Sequence, residues 1–267
     1  MNPRRLFFRF LGLSCLLGLA GCLATQSPVI KRSSGEALPV RLEVHPVGKS
    51  EKEPAVKGPT VIVGHGSAGV AAVHREMAST LNRWGYNAVV IDHYTLRGIS
   101  IHTGRLAPGA TGEDRALDFI ETGRWIEQQP WHQGKIAVVG FSQGGGGVLA
   151  LVNDTNMRNR GYVSDARPNP ISVASAFYPS CFFSPPPVKP SMPTQVHLAE
   201  MDDLARVSYC GLGNDAPYRI HLYKGATHSF DESLSAAIRL SFTHRYDPRA
   251  TRESRENLKR FLDEQLR

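Results

Sequence analysis

The sequence is poor in the features that mark several protein classes. Its 25 glycines and 18 prolines make up about 16% of the chain, far below collagen-like or low-complexity levels. No internal repeat is visible, and no apolar run is long enough to span a bilayer as a mature helix. Basic stripes interleaved with aromatics are also lacking, which sets nucleic acid aside as a partner. Neither a Cys/His cluster nor an H-E-x-x-H string occurs, so no metal or other cofactor is expected. What remains, 267 residues of which 41% are hydrophobic, is the composition of one globular domain with a sizeable core.

Acidic residues are absent before Glu36, whereas Arg4, Arg5 and Arg9 lead into an apolar run from Phe10 to Ala20 and then small residues. That order reads as a secretory signal. Its end, Leu19-Ala20-Gly21-Cys22, resembles the lipobox of bacterial lipoproteins. The resemblance implies cleavage before Cys22, acylation of that residue and a membrane anchor; an ordinary export signal is the alternative. Residues 1–21 would then be signal peptide, 22–36 a polar lipidated tether and 37–267 the domain. Leu23 in place of an Asp implies the outer membrane, facing the periplasm, rather than the inner one. Removing the three arginines takes the formal net charge from +7 to +4, so the charge names no anionic partner. Cys181 and Cys210 are left: a disulfide in an oxidising compartment, or two buried thiols.

From Ala37 onward, short β-rich runs alternate with amphipathic stretches. Val40–Val44 alternates apolar and polar residues like a half-exposed edge strand, whereas Thr60–Val63 is continuous and reads as a central strand buried on both faces. Helix is expected over Ala71–Trp84, Glu113–Gln129, Gln143–Val152 and Thr251–Leu266. Further strands are expected at Asn87–Ile91, Lys135–Val139, Ser172–Phe177, Gln195–Leu198 and Tyr218–Tyr223. Such alternation predicts an α/β fold, a mostly parallel sheet with helices on both faces. The long connections 93–112, 153–170 and 178–193 are expected to carry binding residues.

Gly140-Phe141-Ser142-Gln143-Gly144 matches G-x-S-x-G between a buried strand and a helix. In that setting the motif is a nucleophile elbow, which holds a serine hydroxyl above the sheet in a strained turn. A serine needs a base, and the base an orienting acid. In the α/β-hydrolase order both lie downstream, the acid first. His228, in a turn beyond the last strand, fits the base. Of the carboxylates in Glu200-Met201-Asp202-Asp203, Asp202 is favoured for the acid and Asp203 is next. Oxyanion donors are expected from the backbone amides of Gln143 and of Ser67, in the glycine-rich loop 64–69. Arg97 or Arg105 could hold a substrate carboxylate or simply brace its own loop, and Phe182 and Phe183 could wall an acyl pocket or simply pack.

Together the His65-Gly66-x-x-Gly69 loop, the Asp92-His93-Tyr94 strand end with Arg97-Gly98, the elbow, the 200–203 turn and Gly225-Ala226-Thr227-His228-Ser229-Phe230 resemble the dienelactone hydrolase family of α/β-hydrolases. The resemblance implies Ser142, Asp202 and His228 as a triad acting on a small ester or lactone. Founding members of that family carry a cysteine nucleophile, so substrate identity does not transfer with the resemblance. A non-catalytic binding lipoprotein and a peptidase on the same fold are the competing readings.

Overall fold

A computed structural model describes residues 28–32, 34–48, 55–100, 107–211, 217–233 and 243–267. The expected signal peptide, Cys22 and Arg105 lie outside these residues. The element order is β1 (Arg41–His45), β2 (Gly58–Gly64), α1 (Ala72–Arg83), β3 (Asn87–Asp92), α2 (Gly112–Glu127), β4 (His132–Phe141), α3 (Gln143–Leu151), α4 (Asp154–Asn159), β5 (Ile171–Phe177), β6 (Thr194–Ala199), β7 (Arg219–Tyr223) and α5 (Pro248–Leu266). The seven strands form one sheet in the order β1-β3-β2-β4-β5-β6-β7. Only β1 is antiparallel, pairing Leu42 with Ile91 on the outer edge; every other pair is parallel, joined by crossovers that carry α-helices as far as β5.

Alternating side chains of the inner strands feed two cores. Val61 and Val63 of β2 pack with Met77 and Leu81 of α1 and with Leu258, Phe261 and Leu262 of α5. Ile62 points the other way, toward Phe119 and Ile120 of α2 and Val148 and Leu149 of α3. The expected mostly parallel sheet with helices on both faces is therefore what forms. β2 lies between β3 and β4, so the connection after β2 turns to one side and that after β4 to the other. The carboxyl ends of β2 and β4 thus open a crevice at the point where strand order reverses.

Three boundaries differ from the sequence reading. Helix α4 falls in a stretch expected to be loop, started by Asn153, whose side chain accepts from the Asn156 amide. Helix α5 begins three residues earlier than expected, capped by Asp247 with Pro248 at its first position. The described part of the expected tether is folded: the Leu38 amide donates to Ile30 O at 2.8 Å, Lys31 bridges Ala37, and Ile30 is buried beside Leu38 and Val40. The domain therefore starts before residue 37. Ile30 directly follows the exposed Val29, and two adjacent apolar residues in a polar stretch show no periodicity by which the burial of one could be read.

Candidate active site

Strand β4 delivers Ser142 to the crevice and α3 carries the chain away. Ser142 has φ +51° and ψ −113°, a conformation that costs a non-glycine residue about 1–3 kcal/mol and persists only when its surroundings over-determine it. Here the Ser142 amide donates to Phe177 O at 2.9 Å, while its own carbonyl accepts from Gly146 at 3.0 Å and Ser180 at 3.1 Å. The flanking glycines are a steric demand. A Cβ on Gly140 would strike the Gly144 carbonyl, and one on Gly144 would stand 2.6 Å from the carbonyls of Gly64 and His65.

His228 reaches Ser142 from the turn that follows β7, where Gly225 at φ +71° reverses the chain and the Met201 amide donates to Ala226 O. Its Nε2 lies 2.9 Å from Ser142 Oγ and its Nδ1 lies 2.7 Å from Asp202 Oδ2. A carboxylate only accepts, so Nδ1 carries the proton and Nε2 accepts from the serine hydroxyl. Asp202 is itself oriented by its own turn: Oδ1 accepts from the amides of Leu204 at 3.0 Å and Ala205 at 2.6 Å. All three side chains are buried, with Ser142 the most accessible at 8% exposure. Asp203 points elsewhere, taking the amide and hydroxyl of Thr243. Of the two acids left open by the sequence, Asp202 is the one beside the histidine.

Loop 64–69 leans on the serine from the β2 side, closely enough that a Cβ on Gly66 would come within 3.1 Å of Ser142 Cβ. Ser67 and Gln143, whose amides the sequence suggests as oxyanion donors, both line the cavity that Ser142 borders. Behind them sits a cluster that sequence reasoning missed. Arg115 of α2 is fully buried and donates to His65 O at 2.8 Å and to the Gln143 side-chain carbonyl at 3.1 Å. Tyr94 donates to the same oxygen at 2.7 Å and lies under the guanidinium. His65 accepts the His93 amide on Nε2, so its proton sits on Nδ1, toward Gly66 O. Burial and the Arg115 charge hold its pKa well below the usual histidine range, and the ring is neutral. One guanidinium thus ties the loop after β2 to the residue that follows the serine.

A second missed group supports the histidine. Tyr178 packs edge-on against His228 with ring centroids 4.9 Å apart and donates to Asp231 at 2.7 Å. Arg255 of α5 donates to the other oxygen of Asp231 at 3.2 Å. The only sequence cues were position, directly after β5 for Tyr178 and three residues beyond His228 for Asp231.

Arg97 is not a substrate-facing cation. Its guanidinium grips Asp118 of α2 in a two-pronged pair at 2.8 and 2.7 Å and donates to His93 O at 2.8 Å. Asp118 is wholly buried beside His93, and burial pushes its carboxyl up to about 6 against the pull of Arg97. A buried carboxylate needs such a partner, and helix α2 brings it from 21 residues away. Phe182, by contrast, does line the cavity over Ser142, with Phe183, Tyr209, Leu204 and Ala205. Cys181 and Cys210, each next to one of those aromatics, are joined in a disulfide with Cα atoms 4.9 Å apart. The cavity measures about 450 Å³, and among the described residues no cluster of His, Cys, Asp or Glu could hold a metal ion.

A profile of the dienelactone hydrolase family matches residues 47–266. Among solved structures, the dienelactone hydrolase of Anabaena variabilis is 18% identical, with 91% of this chain and 99% of that one covered at a TM-score of 0.59. The carboxylesterase Cest-2923 of Lactobacillus plantarum is 16% identical over 90% of this chain and 98% of its own, at 0.62. An esterase of Pyrobaculum calidifontis is 18% identical over 88% and 83%, at 0.55. At these identities the likeness is one of fold. None of the curated proteins compared matches the chain. With the family profile matched over most of its length and the hydrolase fold beneath it, the chain belongs to the dienelactone hydrolase family and is a hydrolase.

Proposed function

We propose that the protein is a serine hydrolase that cleaves carboxylic esters or lactones through an acyl-enzyme. The observation that carries this reading is the relay of 2.9 Å from Ser142 Oγ to His228 and 2.7 Å from His228 to Asp202, beneath an open cavity. In the reaction, His228 Nε2 takes the Ser142 proton as Oγ attacks the carbonyl carbon. Asp202 holds the imidazole and balances its charge, and the backbone amides of Ser67 and Gln143 receive the oxyanion. The proton then passes from His228 to the leaving alkoxide, and the acyl group stays on Ser142. Water, deprotonated by the same nitrogen, releases the acid. The opening residues support a second element of the reading: export and anchoring through an acylated Cys22, on the periplasmic face of the outer membrane. The Cys181–Cys210 pair suits that address, since disulfides persist in oxidising compartments.

The test is covalent labelling with a fluorophosphonate, read by intact mass. Wild type takes one label, while Ser142→Ala and His228→Ala take none. An unlabelled, folded wild type between about pH 6 and 9, where an imidazole base is available, would sink the catalytic reading. Metabolic incorporation of an alkynyl fatty acid, abolished by Cys22→Ala, tests the anchor; incorporation that survives the substitution rejects it.

A further inference from the structure

The cavity over Ser142 has two kinds of wall. On one side Phe182, Phe183 and Tyr209 form an aromatic corner, Phe182 lying 5.1 Å from Phe183 and 5.5 Å from Tyr209 between ring centroids. These rings are exposed to 68%, 53% and 43%, an apolar patch of the kind that marks a binding surface. They do not need an occupant to hold their places, because the Cys181–Cys210 bridge pins the neighbours of Phe182 and Tyr209 to each other.

Much of the rest of the lining is polar. Ser180 and Ser184, on the same turn as the two phenylalanines, also line the cavity. Glu113 is the charged side chain among the described lining residues, and it pairs with Arg160 at 3.7 Å. Of the two arginines that might have received an acid, Arg97 is turned inward onto Asp118 and Arg105 lies outside the described residues.

We infer that the acyl subsite takes an uncharged group bearing an aromatic ring and discriminates against acyl groups that carry a carboxylate. The inference rests on the proposed reaction at Ser142. A ring entering the corner gains edge-to-face or offset-stacked contact with these aromatics. Neutral polar substituents on that ring meet the serine hydroxyls. A carboxylate in the same space gives up its hydration beside the Glu113 carboxylate, and charge buried without a partner is costly.

The experiment uses the full-length protein in mild detergent and four p-nitrophenyl esters: acetate, hexanoate, phenylpropanoate and carboxyphenylpropanoate. The expected order of kcat/KM places phenylpropanoate above hexanoate and acetate, and about tenfold or more above its carboxylated analogue. Phe182→Ala lowers the phenylpropanoate-to-acetate ratio about fivefold. Glu113→Gln narrows the gap between the neutral and carboxylated esters several-fold. Equal or faster cleavage of the carboxylated ester overturns the inference, as does a preference for hexanoate over phenylpropanoate. Calorimetric titration of Ser142→Ala with the matching methyl esters reads the subsite without turnover. If wild type neither cleaves acetate nor takes the fluorophosphonate label, the proposed reaction fails. The binding preference then still decides the subsite: tighter binding of the neutral aromatic ester supports it, and equal binding overturns it.

Discussion

The two sides of Ser142 are built by different means. Behind the serine, Arg115, His65, Asp118 and His93 form a buried polar network joined by hydrogen bonds, with the Tyr94 ring under the Arg115 guanidinium. In front of it, Phe182, Phe183 and Tyr209 stand half in solvent, held mainly by one covalent bridge. The contrast follows from what each side must do. Reacting groups need positions fixed to a fraction of an ångström, which only dense burial with satisfied hydrogen bonds supplies. A binding wall needs open surface, and open surface contributes little packing energy, so a cross-link supplies the order instead.

The largest expected effect lies where the two sides meet. Ser142→Ala or His228→Ala lowers kcat on p-nitrophenyl acetate by about 10⁴-fold or more, with the melting temperature shifted by only a few degrees; a loss under tenfold would remove the serine or histidine from the reaction. Next comes the rear network. Arg115→Met leaves the His65 carbonyl without its donor and the Gln143 side-chain oxygen with its Tyr94 donor, and should cost about 1–3 kcal/mol in urea unfolding. Its kcat should fall with KM little changed, Arg115→Lys recovering part of the loss; equal stability of the variant would mean the network does not brace the site.

Removing the bridge with Cys181→Ser and Cys210→Ser should destabilise by about 3–4 kcal/mol for a loop of this length. KM for aromatic esters should rise more than kcat falls. A change in kcat alone would place the bridge with the rear network rather than the front wall.

Acid separates the two sides as well. His74, which packs on Phe141, accepts the Ala71 amide that opens α1, and burial lowers its pKa to about 4. The unfolded chain binds that proton near the ordinary histidine value of 6.5, so the stability it contributes is full above 6.5 and lost as pH falls toward 4, about 3 kcal/mol in all. His65 and His93, lowered well below their usual range by burial, act in the same direction. Asp118, raised to about 6, opposes them, because its folded form holds the proton more tightly. The net prediction is a melting temperature that drops between pH 7 and 4, and less steeply in His74→Gln; a flat profile contradicts it. The smallest effect sharpens the choice of acid. Asp203→Asn should change kcat by less than about threefold, whereas Asp202→Asn should cost about 10⁴-fold.

How much of this could be read from the chain varied with how local the cause was. The elbow was legible because its steric demands fall on Gly140 and Gly144, both within two residues of Ser142. His228 was legible from its place after the last strand. Asp202 and Asp203 were not separable, since adjacent carboxylates differ only in which way the turn points them. The role of Arg97, substrate ligand or loop brace, stayed open because its partner Asp118 sits on another element, and nothing beside Arg115 in sequence marks it for burial. Ile30 was read as tether because nothing beside it in sequence announced the core it enters.

By itself the sequence determined the order of the strands and of every helix but α4, the mostly parallel sheet and the serine turn, because periodicity and backbone sterics act between near neighbours. Tertiary structure alone decided which acid meets His228, which arginines are buried and which cysteines join. Those outcomes depend on desolvation and on partners brought together from distant elements, and a buried charge has no meaning until the fold has said what surrounds it.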